Sequence, residues 1–215
     1  MRNSGLLLGL ALVFGVVCSA HGDLVFDNGA GGAAGVGNGF GSDKAINFQV
    51  ADDVTLASTT VVTQVDWTGV YANEQTLDFD DNFEINIYAD DGSGLPGTQL
   101  ASFAVGDNVN RTFSGISLFN IFQVFDYSAQ INFNMLAGTK YHVGIWNDTT
   151  LDPDDIWLWA HVTSGGDATF QSGSGAWSQE DSIQDFRLHA NTVPEPGSLA
   201  VLSVLGACVF RRRRG

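Results

Sequence analysis

The stretch that indicates the fold class is Phe83-Glu84-Ile85-Asn86-Ile87-Tyr88. Apolar and polar side chains alternate along it. In an extended strand successive side chains point to opposite faces, so Phe83, Ile85 and Ile87 share one face. The polar residues between them share the other face. This alternation predicts a half-buried β-strand whose apolar face turns to a core.

Similar runs recur between Asp23 and Ala190, and no 3.6-residue period is sustained there. Each run is rich in β-branched and aromatic residues and is bounded by Gly, Asn or Asp. The predicted strands are Val61–Tyr71, Phe83–Tyr88, Phe119–Tyr127, Gln130–Met135, Tyr141–Trp146, Ile156–Val162 and Phe186–Ala190. Many short strands with turn signals about every dozen residues predict a single all-β domain, a β-sandwich or jelly roll, over residues 23–192.

The connections between these strands are rich in turn residues. Asp90–Gly97 contains three glycines and one proline, which suits a tight turn with positive φ angles. Ala137–Thr139 predicts a second tight turn. Residues 28–41 are glycine-rich and are predicted to form a flexible surface loop.

The charge of the chain is strongly negative. The 215 residues include 9 basic and 24 acidic ones, and the net charge is −15. All 24 acidic residues and only four basic ones lie between Asp23 and Glu195, so this span carries −20. Nucleic acid is excluded as an expected partner, because phosphate binding requires many Lys and Arg side chains.

Residues 1–22 have the pattern of a secretory signal peptide. Arg2 supplies a positive charge, and a mostly apolar run from Leu6 to Val17 follows it. This run is too short to span a membrane stably. Small residues come next, and cleavage after Ala20 or after Gly22 fits the pattern.

The C-terminal residues 193–215 have three parts in a fixed order. A proline-containing motif comes first, an apolar run over 199–210 is predicted to be helical, and a basic tail ends the chain. The motif is Val193, Pro194, Glu195 and Pro196, and the tail is Arg211, Arg212, Arg213 and Arg214. Prolines keep the motif extended and accessible, while arginines hold the end of an apolar run on the cytoplasmic side of a membrane.

This tail resembles the PEP-CTERM sorting signal of Gram-negative bacteria. The resemblance implies export by the secretion machinery, a transient inner-membrane anchor, and cleavage near the Pro-Glu-Pro motif by an exosortase-type enzyme. The product is then expected at the cell surface or in the extracellular matrix, where extracellular polysaccharide is a potential partner. A permanent short anchor is the alternative reading of the tail.

The middle of the chain resembles the β-rich domains found ahead of such signals. The resemblance rests on Gln49–Asp53, Val65–Tyr71 and Ile87–Gly97. It implies a sandwich fold, and those domains have no common activity to carry over.

The sequence offers little support for an enzyme. Both cysteines, Cys18 and Cys208, lie in the segments expected to be removed, so a mature thiol nucleophile or disulfide is not expected. Gly92–Gly97 matches G-x-G-x-x-G, but Pro96 and the strand-like residues after it oppose the helix that this motif requires. No G-x-S-x-G elbow is present. We therefore expect a non-enzymatic protein with no organic cofactor.

Two speculative binding sites remain. Trp157 and Trp159 share one face of a predicted strand, so they form either an exposed platform for sugar rings or part of a core buried on both faces. Loop carboxylates suit the hard oxygen coordination of Ca²⁺, and the candidate ligands are Asp80, Asp81, Asp154 and Asp155. A solvated acidic surface is the alternative for these carboxylates.

The favoured function is a structural or binding role at the cell surface or in the matrix. A carbohydrate-binding module is the second reading and a polysaccharide hydrolase the third. Exposed tryptophans would favour the module, and a cleft with convergent carboxylates would favour the hydrolase.

Overall fold

The computed structural model describes residues 22–28, 38–72, 81–119, 121–151, 155–163 and 165–190. Within these ranges the chain forms β-strands and no helix. The predicted signal segment up to residue 21, the processing motif at 193–196, the apolar run 199–210 and the basic tail lie outside the described residues.

The strands are numbered in chain order. They are β1 (Asp23–Asp27), β2 (Asn38–Gly41), β3 (Phe48–Thr55), β4 (Thr60–Ala72), β5 (Phe83–Asp90), β6 (Pro96–Gly106), β7 (Asn110–Leu118), β8 (Phe122–Met135), β9 (Lys140–Trp146), β10 (Ile156–Thr163), β11 (Thr169–Ser172), β12 (Ser178–Gln179), β13 (Ser182–Gln184) and β14 (Phe186–Ala190). They pair antiparallel in two sheets, so the all-β prediction is confirmed.

The first sheet has eight strands and is organised around β4. One side of β4 pairs with β8, which in turn pairs with β7. The other side pairs with β14 along its first part and with β10 near its end. The short strands β1, β2 and β13 complete this sheet by pairing with β14 or β10.

The second sheet has six strands in the order β12-β11-β3-β9-β5-β6. Its strand β5 carries the stretch that predicted the fold. Phe83, Ile85 and Ile87 are fully buried, as the alternation predicts. The turn after β5 is also as predicted, with positive φ angles at Gly92 and Gly94.

The main hydrophobic core lies between the two sheets. Residues from both sheets contribute to it, among them Trp67 of β4 and Ile145 of β9. Its centre is aromatic: the ring of Phe83 lies 5.1 Å from that of Trp157 and 5.3 Å from that of Trp67. Aromatic rings packed edge to face contribute energy beyond the burial of their area. The described residues include no cysteine, so hydrophobic packing rather than a disulfide joins the two sheets there.

Two details differ from the sequence prediction. The predicted strands Phe119–Tyr127 and Gln130–Met135 form one strand, β8, because β4 offers a partner along nearly its whole length. The predicted glycine-rich loop over 28–41 ends in strand β2, which pairs with β10. A Cβ at Gly39 would lie 2.8 Å from the Cβ of Leu158, so glycine permits this close pairing.

The two ends of the domain meet in space. Ala190, the last residue of β14, pairs with Asp23 on β1 and with Val62 near the start of β4. We call this end of the sheets the terminal end. Val70 pairs with Val124 farther along β4, and eight residues of strand separate Val62 from Val70 by about 26 Å. We call the end around Val70 the distal end.

Candidate functional site

The two tryptophans predicted as a sugar platform are buried. Trp157 and Trp159 both have 0% exposure, and they face the core from β10. The indole nitrogen of Trp159 donates a hydrogen bond to the carbonyl of Asp185 at 2.9 Å. The prediction of an exposed platform is therefore wrong, and the core alternative describes the structure. Both faces of β10 are apolar, so alternation could not show which face is covered.

The predicted calcium ligands fall in three situations. Asp80 and Asp154 lie outside the described residues. Asp81 is buried and already has protein partners: the Tyr71 hydroxyl donates to it, the Asn147 amide donates at 2.8 Å, and the Arg111 guanidinium pairs with it. Its carboxylate is thus neutralised by a cation of the protein itself.

Asp155 is also buried, in the segment that leads into β10. Its carbonyl accepts a hydrogen bond from the Thr149 hydroxyl at 2.7 Å. Thr149 and Asn147 belong to the same segment after β9, so this segment connects Asp155 to Asp81. The structure therefore places Asp81 and Asp155 at the distal end, where both are hydrogen-bonded to the segment after β9.

A second group of carboxylates lies between β3 and the segment before β11. Oxygens of Asp52, Asp53 and Asp167 lie within 4.8 Å of one another. The amine of Lys140 is 2.8 Å from Asp53 and 3.6 Å from Asp167, and the hydrogen bond to Asp53 raises its pKa. Lys140 thus supplies positive charge to the group.

Burial shapes the protonation of this group. Desolvation raises the pKa of Asp52 to about 7, although the backbone amides of Gln184 and Asp53 and the amide of Asn28 all donate to it. Desolvation also raises the pKa of Asp167. A carboxylate that is half protonated near neutral pH is a weaker cation ligand than an ionised one.

A polar depression of about 310 Å³ on the first sheet is a candidate binding site. Its side chains come from β4, β7, β8 and β14. Gln64, Asp66 and Arg187 alternate with the core residues Val65 and Leu188, while Trp67 and Tyr127 belong to the core and also line the depression. We define the depression by the residues that line it: Gln64, Asp66, Trp67, Asn110, Thr112, Asp126, Tyr127, Ser128 and Arg187.

Hydrogen bonds hold one side of the depression in place. The Gln130 amide donates to Gln64 at 2.7 Å, and the Gln64 amide donates to Asp66 at 2.6 Å. The other oxygen of Asp66 is 2.8 Å from Nε2 of His189. These side chains are therefore fixed before any ligand arrives, which lowers the entropic cost of binding.

The other side of the depression combines acids with a guanidinium. The Thr68 hydroxyl lies between Asp126, to which it donates at 3.0 Å, and the fully buried Asp185. Arg187 is 3.2 Å from Asp185, whose pKa is raised by burial. Amide, hydroxyl, carboxylate and guanidinium groups thus converge on one concave surface, the set of groups that binds polyhydroxylated ligands by hydrogen bonds.

Sequence reasoning did not find this depression. The alternation of Gln64 and Asp66 with Val65 and Trp67 was visible on β4. However, the polar residues of β8 and β14 join them only through strand pairing between residues far apart in the chain.

No family model matches the sequence, and no curated protein is similar to it. In the described part of the chain we find no helix with the length and apolarity needed to cross a bilayer.

Proposed function

We propose that this protein is exported and acts, without catalysis, as a structural or binding protein at the cell surface or in the extracellular matrix of a Gram-negative bacterium. In this proposal a signal helix and a C-terminal apolar helix flank a β-sandwich. Both are removed during export, the second by an exosortase-type enzyme acting near Val193–Pro196.

The pairing of β1 with β14 is the observation that carries the proposal. Asp23 and Ala190 are directly opposed, so both flanking segments leave the domain from its terminal end. This arrangement supports the proposal, because both segments can then reach the same inner membrane from one end of the domain.

The experiment uses the full chain in a Gram-negative host with an exosortase-type enzyme. Replacing Pro194, Glu195 and Pro196 together by alanine is expected to leave the protein in the membrane fraction. Replacing Asn191 and Thr192 by alanine is the matched control, since these neighbours lie outside the motif. Equal release of both variants would refute processing at the motif.

Carbohydrate binding is the second candidate, favoured by the polar depression rather than by the buried tryptophans. Asp126 presents one oxygen to Thr68 and lines the depression. A glycan array and titration calorimetry with the full chain test this candidate. Asp126→Ala is expected to weaken binding about tenfold or more, because a positioned acceptor is lost. Asp181→Ala, an exposed carboxylate outside the depression, is the control. Equal effects of the two variants would contradict this site.

A further inference from the structure

Two rows of polar side chains cross the strands of the first sheet at the polar depression. In each row the residues of neighbouring strands are directly opposed in register. The first row takes one residue from each of four strands: Arg187, Asp66, Ser128 and Asn110. The second row is Thr68, Asp126 and Thr112. Neighbouring strands lie about 4.8 Å apart, so the first row is about 14 Å long and suits an extended chain of linked units.

Carboxyl groups outnumber basic groups at the depression. Asp66 and Asp126 belong to its lining, and Asp185 is joined to Asp126 through the Thr68 hydroxyl. Arg187 is the one Lys or Arg side chain in the lining, and it is 3.2 Å from Asp185. Burial raises the pKa of Asp185, but even with Asp185 protonated two carboxylates remain for one guanidinium.

The other basic residues of the domain have acidic partners outside the depression. Residues 23–195 contain four Lys or Arg residues, and all four lie in the described part of the chain. Besides Arg187, the pairs are Lys44 with Glu84, Arg111 with Asp81 and Lys140 with Asp53. A ligand that brings its own positive charge therefore gains electrostatic energy in this concave, acidic site.

Asp126 is the carboxylate best placed for such a charge. One of its oxygens accepts a hydrogen bond from Thr68 at 3.0 Å, which fixes its orientation. Asp66, in contrast, has both oxygens engaged, by Gln64 at 2.6 Å and by His189 at 2.8 Å. The Asp126 side chain is half-buried, so water and salt screen its charge less than that of an exposed carboxylate.

The lining also contains donors that require oxygen acceptors. Nε of Arg187 and Nε1 of the fully buried Trp67 have no hydrogen-bond acceptor among the described residues. Buried donors without an acceptor are uncommon in folded proteins, and oxygens of a ligand or of water held by it would complete them. A metal ion has no such oxygens. The ligand that matches both features therefore carries a cation and many oxygens on one chain.

We propose that the depression binds a polysaccharide with free amino groups, laid across β14, β4, β8 and β7 with one ammonium group on Asp126. The Ser128 hydroxyl and the Asn110 amide, both in the first row, bind ring hydroxyls of the sugar. A hydrogen bond between an ammonium group and a carboxylate is about twice as strong as one between neutral groups, and it selects the amino sugar. The inference rests on the second candidate above, carbohydrate binding, and names its ligand class.

Titration calorimetry with the full chain in a nonionic detergent tests the ligand class. The probes are glucosamine oligomers, N-acetylglucosamine oligomers of the same length and uronic acid oligomers, at slightly acidic pH, where the sugar amine is protonated. Acetylation removes the positive charge and leaves the ring hydroxyls in place. The amino oligomer is expected to bind about tenfold or more tightly than the acetylated one, and the uronic acid oligomer most weakly. Added NaCl should reduce this preference.

A pair of variants with equal net charge locates the effect. Asp126→Asn keeps the shape of the side chain and is expected to abolish the preference for the amino oligomer. Asp181→Asn removes one charge from an exposed position outside the depression and is expected to retain the preference. Circular dichroism checks that both variants remain folded.

The outcomes separate this inference from the carbohydrate candidate. Equal affinity of the wild type for the amino and acetylated oligomers, or a preference that survives Asp126→Asn, would overturn the ligand class and leave carbohydrate binding intact. Absence of binding to every oligomer and to the glycan array would refute the carbohydrate candidate, and the inference with it.

Discussion

The indole of Trp157 packs directly over Gly69 of the neighbouring strand, where a Cβ would lie 2.5 Å from the indole nitrogen. Gly69 is thus a structural requirement of the aromatic core, since no other side chain leaves room for the ring. Phe83 packs against the same indole from the opposite sheet.

The first prediction concerns this contact. Trp157→Ala is expected to lower the free energy of unfolding by about 3–5 kcal/mol, because it empties a fully buried site. Gly69→Ala is expected to destabilise the domain as well, by about 1–3 kcal/mol, because the methyl group overlaps the ring. Denaturant melts of the full chain measure both changes. Trp177→Ala, at a half-buried indole, is the control and should cost less. Equal losses at the two tryptophans would contradict the buried assignment.

The second prediction concerns the ion pair between Arg111 and Asp81. Arg111→Met leaves the buried Asp81 carboxylate without its cation, which is expected to cost about 3–5 kcal/mol of unfolding free energy. Asp107→Asn removes the exposed partner of the same guanidinium and should cost about 0–1 kcal/mol. Adding Asp81→Asn to Arg111→Met should recover part of the loss, because the uncompensated charge is gone. A double-mutant cycle without coupling would contradict this pairing.

The third prediction concerns pH. The Asp52 carboxyl has a pKa of about 7 in the folded protein and about 3.9 when unfolded, so the folded state disfavours its ionised form. Its contribution to stability is therefore fully present below about pH 4 and is lost as the pH rises through about 7. The loss is as much as about 4 kcal/mol, since each pKa unit is worth about 1.4 kcal/mol.

Asp52→Asn tests this dependence, because asparagine does not titrate. Thermal melts from pH 4 to pH 8 should show the melting temperature of the variant rising relative to that of the wild type. Asp23→Asn, at an exposed position, is the control for the removal of one acidic group. A constant offset between Asp52→Asn and the wild type over this range would contradict the raised pKa.

The sequence was sufficient for the fold class and for the core face of β5, because those depend on local alternation. It did not determine the orientation of β10, where Ile156 and Leu158 are as apolar as the two tryptophans that alternate with them. There the decision depends on which neighbours cover each face, and strand pairing with β2, β4 and β13 determines that.

The candidate sites were harder to predict for the same reason. The depression joins Gln64, Asp126 and Arg187, which are more than 50 residues apart in sequence and meet only through the sheet. Asp81 was recognised as an acidic loop residue, but its partner Arg111 comes from β7. Charge content alone cannot show that a carboxylate is already paired.

The fourth prediction concerns calcium. Arg111 neutralises Asp81, and Lys140 pairs with Asp53 and Asp167, so Ca²⁺ is expected to raise the melting temperature little more than NaCl of equal ionic strength. Binding to a specific site would instead add a stabilisation that grows with ligand concentration. A large calcium-specific rise, removed by Asp80→Asn or Asp154→Asn, would contradict this expectation and reveal a site at those loops.

The most direct test of the account is the intact mass of the protein recovered from the surface of its native host. We predict a chain that begins just after Ala20 or Gly22 and ends near Val193–Pro196, without the tail Arg211–Arg214. Trypsin digestion with sequencing of the terminal peptides assigns both ends. A surface form that retains the basic tail, or a full-length chain found only inside the cell, would contradict export and processing.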